Sequence, residues 1–251
     1  MAVGFVGETK LAVACGSTIY IYDQRFAGIV TRAEAVQGTI SQSTGSEIQG
    51  MSIRGDFIAY VDEDGHLGIC DITDPETSIR FAGTHDALAS CVCLHPEEAI
   101  VATGGIDQQV LVWDIASEHI VDSFKVLAED TEAKQLVNPP FVYAVDFVPD
   151  ETTVVSGHAD GRIMCSNEEQ SFSWTQCHSY SVSALQFVRS NPDILATAGL
   201  DCMVKLWNTD AVVDPSDKPA SIAQHELAEK PNALATLDSS PLMFTDQGRA
   251  I

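Results

Sequence analysis

The sequence is poor in basic residues, since 13 Lys and Arg stand against 36 Asp and Glu and give a formal net charge of −23. A surface of this sign repels nucleic-acid phosphates and anionic lipid headgroups. The chain also lacks any apolar run close to the roughly 20 residues that a membrane-spanning helix requires. We therefore expect neither nucleic acid nor a membrane among its partners.

A secretion signal and a disulfide framework are missing as well. Residues 1–10 contain no basic segment followed by an apolar core. The seven cysteines are an odd number without framework spacing, which is typical of a reducing compartment. We expect an intracellular protein, cytoplasmic, nuclear or both. With 45% hydrophobic residues in 251 positions the chain can bury a core, and we expect one domain over residues 1–251.

What the chain does contain is an internal repeat. An apolar run, a turn rich in Gly and Asp, and an alternating strand that ends before Asp or Asn recur five times. The spacings between the strand ends are 48, 43, 53 and 41 residues, close to the period of about 40–45 of a four-stranded propeller blade. The closing pairs are Tyr22-Asp23, Cys70-Asp71, Trp113-Asp114, Ser166-Asn167 and Trp207-Asn208.

This repeat predicts an all-β fold, a β-propeller with five complete blade-like units and a partial sixth. A single four-stranded unit cannot bury both of its faces, so the copies must stack around an axis. The expected units are residues 1–46, 47–88, 89–140, 141–180 and 181–230, followed by the incomplete 231–251. In the third copy the alternation of apolar and polar residues predicts strands at Cys91–Leu94, Ala99–Gly104, Val110–Ile115 and His119–Val126.

A set of four polar or aromatic residues recurs in two copies with the same spacing. From Thr to Asp the gap is four residues, and from Asp to Trp it is six. His, Thr and Asp would also permit nucleophilic catalysis, but a set that occurs twice indicates architecture rather than one active site. The two sets are His85, Thr103, Asp107 and Trp113, and His178, Thr197, Asp201 and Trp207.

With this pattern the chain resembles the WD-repeat family. The resemblance implies that the eight residues form buried hydrogen-bond networks, and we expect no catalytic residue, cofactor or metal. Other copies are degenerate and are expected to be less rigid: the fourth keeps Ser156 and Asp160 but has Ser166 in place of Trp, and the second keeps Asp64 with Tyr60 and Cys70.

Three stretches, at 19–25, 105–113 and 136–140, resemble one member of that family more closely. Compared with that member, the chain lacks one N-terminal blade and the strand that would close the ring. We therefore expect a fragment of a seven-bladed propeller; the alternative is six units in an open or imperfectly closed ring.

The strongest candidate for partner docking is the segment Tyr22, Asp23, Gln24 and Arg25. It resembles the aromatic-Asp-x-Arg box through which many WD-repeat proteins dock on the damaged-DNA-binding adaptor of cullin-RING ubiquitin ligases. Arg follows the strand-end Asp at this spacing in this copy alone. The alternative is an ordinary strand end with a solvated arginine.

Three weaker candidates remain. The loop Leu127–Pro140 is the longest connection, and it is either a partner-recognition loop or a solvated insertion. Residues near one channel mouth and a Cys-x-Cys-x-His stretch are the others, and for the latter we favour core cysteines over a metal site. These residues are Phe141, Tyr143 and Arg162, and Cys91, Cys93 and His95.

Together these features predict a non-catalytic protein-interaction scaffold, with a substrate-receptor subunit of a cullin-RING ligase as the sharpest form of that hypothesis. One alternative is a general assembly scaffold that binds peptides on the propeller face without any connection to ubiquitin. A propeller hydrolase is a third class, but the sequence shows no unique acid, base or metal-ligand set for it.

Overall fold

The computed structural model describes residues 2–7, 9–23, 25, 36–41, 45–74, 77–126, 139–149, 151–216, 218–237 and 240–246. In this part of the chain the structure consists of β-strands and one short helix, α1 (Thr209–Val213). The predicted alternation of apolar and polar residues is what places one face of each strand against a neighbouring sheet.

Five sheets have four antiparallel strands each, arranged in chain order, and a sixth has two. The first is β1 (Ala2–Val6), β2 (Lys10–Cys15), β3 (Thr18–Asp23) and β4 (Val36–Ser41). The second is β5 (Ile48–Arg54), β6 (Phe57–Asp62), β7 (His66–Asp71) and β8 (Ile79–Thr84). The third is β9 (Ala89–Leu94), β10 (Ile100–Gly105), β11 (Gln109–Asp114) and β12 (His119–Lys125).

The fourth sheet is β13 (Val142–Phe147), β14 (Val154–His158), β15 (Ile163–Ser166) and β16 (Ser171–Trp174). The fifth is β17 (Val182–Phe187), β18 (Ile194–Gly199), β19 (Met203–Asn208) and β20 (Ala223–Glu226), and the two-stranded sixth is β21 (Pro231–Leu237) and β22 (Ser240–Asp246). The first strand of each sheet contacts the first strand of the next. The sheets are therefore the blades of a propeller ring, and the predicted fold class is confirmed.

Hydrogen bonds between each pair of successive blades show that the inner strands all run in one direction. Near the strand starts, the Ser183 hydroxyl donates to the Pro231 carbonyl at 3.4 Å. Near the strand ends, the Leu94 N–H donates to the Ser52 hydroxyl at 3.0 Å. The turns that follow the first and third strands of every blade therefore lie on one side of the ring, which we call the exit face. The turns on the opposite side form the entry face.

The hydrophobic core is divided among the interfaces between blades. Trp113, whose side chain is completely buried, packs edge-on against Phe81 of the preceding blade, with ring centroids 5.6 Å apart. Other interfaces are filled mainly with aliphatic residues of the facing sheets, together with buried aromatic residues such as Trp207 between the fourth and fifth blades and Phe147 between the third and fourth. Within the described residues, no helix has the length and apolarity needed to cross a bilayer.

Candidate functional site

In the third blade the structure brings the four predicted residues together. His85 lies in the loop before β9, Thr103 is on β10, Asp107 is in the following turn, and Trp113 is on β11. The Thr103 hydroxyl is 2.8 Å from both the Trp113 indole nitrogen and His85 Nε2. His85 Nδ1 is 3.0 Å from Asp107 Oδ2. The side chains thus form one continuous buried chain of hydrogen bonds.

One protonation pattern satisfies every group in this chain. The indole N–H of Trp113 donates to the Thr103 oxygen, and the Thr103 hydroxyl donates to His85 Nε2. His85 Nδ1–H then donates to Asp107, which also accepts the backbone N–H of Asp86 at 3.0 Å. In this pattern His85 accepts at Nε2 and donates at Nδ1, and Asp107 accepts both of its hydrogen bonds. Because each side chain is hydrogen-bonded to the next, the network fixes the position of the turn relative to the strands of the blade.

The fifth blade repeats this geometry. His178 Nε2 lies 2.8 Å from the Thr197 hydroxyl, which accepts from the Trp207 indole at 2.9 Å, and His178 Nδ1 lies 2.9 Å from Asp201. Burial lowers the pKa of His178. Burial also opposes ionisation of Asp201, but hydrogen bonds from His178 and the Ser179 N–H outweigh it and keep the Asp201 pKa below its usual value. Both shifts favour a neutral His178 beside an ionised Asp201.

In the second blade the corresponding turn is held by other residues. The Ser46 hydroxyl contacts the Asp64 carboxylate, in the place that the loop histidine has in the third and fifth blades. Asp62 is almost completely buried and accepts the backbone N–H groups of Asp64 and His66 at 3.1 and 2.9 Å. The turn is thus held by two carboxylates rather than by an imidazole.

The fourth blade contains a buried histidine that the sequence analysis missed. His158, at the end of β14, places Nε2 at 2.9 Å from the Ser156 hydroxyl and Nδ1 at 3.1 Å from the Pro140 carbonyl. The predicted Asp160 instead accepts from Arg162 Nε at 2.7 Å, and the Arg162 guanidinium is mostly buried. The imidazole therefore comes from the strand itself, and the turn carboxylate is balanced by arginine.

Strand register explains why histidine is possible at that position. His158 pairs with Val142 at the start of the inner strand, as Gly105 pairs with Ala89 and Gly199 with Val182. A Cβ at Gly105 would lie 2.8 Å from His85 Nδ1, so the loop imidazole occupies the space that a side chain would need. Glycine and a loop histidine thus go together, and a strand histidine replaces both.

Burial lowers the pKa of His158 to about 4, against 6.5 for an unperturbed histidine. Between these values the unfolded chain binds a proton that the folded chain does not, so stability falls as the pH falls, by about 1.4 kcal/mol per pH unit. We expect His158→Gln to reduce this slope between pH 6.5 and 5 in urea unfolding experiments. His225→Gln on the exposed strand β20 is the control for loss of a surface imidazole. An unchanged slope in His158→Gln would contradict the assignment.

At the predicted docking segment the structure shows an ion pair. Arg25 Nε donates to Asp23 Oδ1 at 2.9 Å, and the Arg25 backbone N–H donates to the same oxygen at 2.9 Å. The Asp23 side chain is buried whereas that of Arg25 is 68% exposed. The hydrogen bonds from Arg25 lower the pKa of Asp23 to about 2. Asp23 therefore holds the arginine at the surface of the exit face.

Tyr22 belongs to an apolar face of the first blade. It pairs with Leu11, which pairs with Phe5, and the Phe5 side chain is 58% exposed. The opposite face of the same sheet packs against the second blade. The aromatic ring and the arginine of the segment thus stand at the edge of a largely apolar surface.

The structure places the predicted loop and the residues predicted near the channel mouth as follows. Residues 127–138 of the predicted loop lie outside the described residues. Phe141 and Tyr143 form an edge-on aromatic pair, with centroids 6.4 Å apart, beside the start of β13 on the entry face. Arg162 is engaged with Asp160 instead of being available at the channel mouth.

The side chains of the Cys-x-Cys-x-His stretch contact other protein groups. Cys93 Sγ donates to the Asp146 carboxylate at 3.2 Å, and Cys91 packs with the interface of blades three and four. His95 Nδ1 accepts the backbone N–H of Glu98 at 2.8 Å. Burial raises the pKa of the Cys91 thiol to about 12, which keeps it protonated. Within the described ranges, no three His, Cys, Asp or Glu side chains converge as metal ligands.

Comparison with known proteins gives the family context. The WD domain, G-beta repeat model matches residues 76–114, 135–165 and 169–208. Over 111 residues the chain is 30% identical to Protein NEDD1 of Mus musculus, covering 44% of this chain and 15% of that protein. Over 165 residues it is 25% identical to Actin-interacting protein 1 of Caenorhabditis elegans, covering 63% of this chain and 24% of that protein. The chain thus spans less than a quarter of either relative.

Among solved structures, a chain in the crystal structure of a mitotic checkpoint complex superposes with a TM-score of 0.75. The match covers 98% of this chain and 69% of that one at 16% identity, so it supports the fold alone. The family model falls on the second to fifth blades, and two of those blades carry the complete His, Thr, Asp and Trp network. The chain is therefore a β-propeller that contains WD repeats.

Proposed function

We propose that this propeller is a non-catalytic scaffold that holds other proteins, and that its first blade docks on the damaged-DNA-binding adaptor of cullin-RING ubiquitin ligases. Tyr22, Asp23 and Arg25 would form the docking contact. The observation that carries the proposal is an arginine exposed on the exit face but anchored by a buried carboxylate.

The geometry suits recognition because the arginine is oriented before a partner arrives. Asp23 takes up the Nε and Nη2 edge of the Arg25 guanidinium, which leaves the Nη1 edge directed away from that ion pair. Ordering a long side chain at an interface normally costs about 0.5–1.5 kcal/mol, and the ion pair lowers that cost. Arginine and tyrosine are also the residues most often found at the energetic centre of protein interfaces.

The test is a pull-down with purified adaptor. We expect the wild type to bind and Arg25→Ala to bind at least about tenfold more weakly, since an anchored arginine contributes roughly 2 kcal/mol at such a centre. Arg189→Ala is the matched control, because Arg189 is an exposed arginine on the exit face of the fifth blade. No adaptor bound by either wild type or Arg25→Ala would refute the ligase hypothesis while leaving the scaffold in place.

We extend the proposal to a closer relationship with WD repeat-containing protein 53. Its support is the likeness of residues 19–25, 105–113 and 136–140 to that protein. The first of these stretches contains the docking segment, and the second contains Asp107 and Trp113 of the third-blade network. If the relationship holds, the docking segment belongs to the protein's function rather than to chance.

A second function, in a different class, is a general assembly scaffold that binds basic peptides on the propeller face. The net charge of −23 favours it, since a surface of this sign attracts cationic segments. Binding that weakens steeply with added salt would support this function, and binding indifferent to salt would count against it.

A further inference from the structure

A cavity of about 310 Å³ opens on the exit face between the second and third blades. It is the open end of the hydrophobic interface between these blades, where Trp113 and Phe81 pack deeper in. Its volume is at the lower end of the range for pockets that bind small ligands or single side chains. Its apolar walls are Phe57, Ile69, Ile79, Leu94, Ala99 and Ile115.

Cross-strand register builds one wall of this cavity. Arg54, Phe57 and Asp71 are neighbours across β5, β6 and β7, so their side chains share the face that looks toward the third blade. Phe57 is 45% exposed although it lines an apolar cavity. An aromatic side chain left half open to solvent at such a mouth is a surface that a partner could cover.

Arg54 makes the mouth rigid rather than basic. Its Nη1 donates to the carbonyl oxygens of His95 and Glu98 in the third blade, at 2.5 and 2.6 Å. These bonds tie the turn of the third blade to the second blade and hold the two walls at a fixed separation. The cavity is thus largely formed before any ligand binds.

The rim of the cavity is acidic. Asp71 accepts from the N–H and the hydroxyl of Thr73 at 2.7 and 2.6 Å, and these bonds lower its pKa. Among the residues that line the cavity, the charged ones are Asp71 and Arg54. Four more carboxylates are exposed in the turns that connect these lining residues: Asp56, Asp74, Glu97 and Glu98. A cationic segment would therefore be drawn to this mouth, and an anionic one repelled.

We infer that this cavity binds a linear peptide in which a large aliphatic side chain is flanked by Lys or Arg. The aliphatic group fills the space beside Phe57, and the basic residues pair with the rim carboxylates. The inference rests on the second function proposed above, the binding of basic peptides, and assigns it a site. It does not depend on adaptor docking, since Arg25 belongs to another blade.

The test uses fluorescein-labelled dodecapeptides in fluorescence anisotropy. One probe carries a central Leu between Lys residues, a second has Ala in place of that Leu, and a third has Glu in place of the Lys residues. We expect the Leu-Lys peptide to bind at least about tenfold more tightly than the Ala-Lys peptide, because burying a leucine side chain stabilises a complex by that factor or more. The Leu-Glu peptide is expected not to bind.

Two variants locate the site. Ala99→Trp fills the cavity from its exposed edge and should weaken binding of the Leu-Lys peptide at least tenfold, whereas Glu97→Ala should weaken it less and reduce its salt dependence. Asp193→Ala is the control for loss of one negative charge, because Asp193 lies in the equivalent turn of the fifth blade, away from the cavity. Its carbonyl accepts from the Thr209 N–H as the Ala99 carbonyl accepts from the Ile115 N–H. A thermal midpoint close to that of the wild type shows that Ala99→Trp is folded.

The outcomes separate the site from the function. Equal binding of the Leu-Lys and Ala-Lys peptides, or binding by Ala99→Trp as tight as that of the wild type, would overturn the assignment of the cavity as the binding site. The proposed binding of basic peptides would still stand. Binding of the Leu-Glu peptide would overturn the assigned charge. Self-association that Phe57→Ser abolishes, seen by sedimentation, would show that a second copy of the chain occupies the cavity instead and would also overturn the inference.

Discussion

Trp113→Ala is expected to lower the free energy of unfolding by about 3–5 kcal/mol, which is a large part of the stability of an ordinary domain. The indole is completely buried and packs edge-on against Phe81 of the preceding blade. Its removal leaves a cavity between two blades and takes away the hydrogen-bond donor to Thr103. Because each blade is stabilised by its neighbours, the loss should affect the second blade as well as the third.

One further variant separates the hydrogen bonds of this network from its packing, and a second serves as a control. Thr103→Val keeps the volume but leaves the Trp113 N–H and His85 Nε2 unsatisfied, and we expect it to cost about 2–5 kcal/mol. Trp174→Ala is the control, since this indole is only partly buried and bonds to the Val212 carbonyl at 3.2 Å. Urea unfolding followed by far-UV circular dichroism measures all three. A cost of Trp113→Ala no greater than that of Trp174→Ala would show that the network does not stabilise the ring.

The repeat made the fold predictable because it is set by local patterns that every copy shares. Alternation of apolar residues placed the strands of the third blade within one or two residues of their observed bounds, as for Val110–Ile115 against Gln109–Asp114. The spacing of His, Thr, Asp and Trp likewise predicted two groups that the fold brings into contact. Such features depend on positions within one blade, so a single sequence reveals them.

The substitutes in the degenerate blades could not be found in the same way. His158 occupies the strand position that Gly105 and Gly199 have in the third and fifth blades. Its imidazole reaches Ser156 because no loop histidine fills the space next to that position. The sequence does show a histidine two residues after Ser156, but the repeated pattern has its histidine before the second strand and therefore does not predict it. The exit-face cavity was also beyond prediction, because its walls come from two blades and its opening depends on how Arg54 reaches the third blade.

The exchange between glycine and histidine can be tested in the fifth blade. A Cβ added at Gly199 would lie 2.3 Å from His178 Nδ1 and 2.5 Å from Asp201 Oδ1. We expect Gly199→Ala to cost about 3 kcal/mol or more, because the imidazole must leave its place between Asp201 and Thr197. His178→Ala alone is expected to cost about 2–3 kcal/mol, since both former partners remain buried.

In the double variant the two costs should not add. Once His178 is replaced by Ala, the Cβ at position 199 no longer meets an imidazole, so Gly199→Ala should cost at least about 1–2 kcal/mol less than it does in the wild type. Gly199→Ala combined with His85→Ala is the control, because His85 belongs to the third-blade network and its loss should be additive. Gly199→His with His178→Ala goes further by copying the arrangement of His158, and it should be more stable than Gly199→His alone. If the fifth-blade pair proves as additive as the control pair, glycine is not kept there to make room for the loop imidazole. A positive coupling would mean that Gly199 leaves room for the loop imidazole of His178, which in the fourth blade is replaced by the strand imidazole of His158.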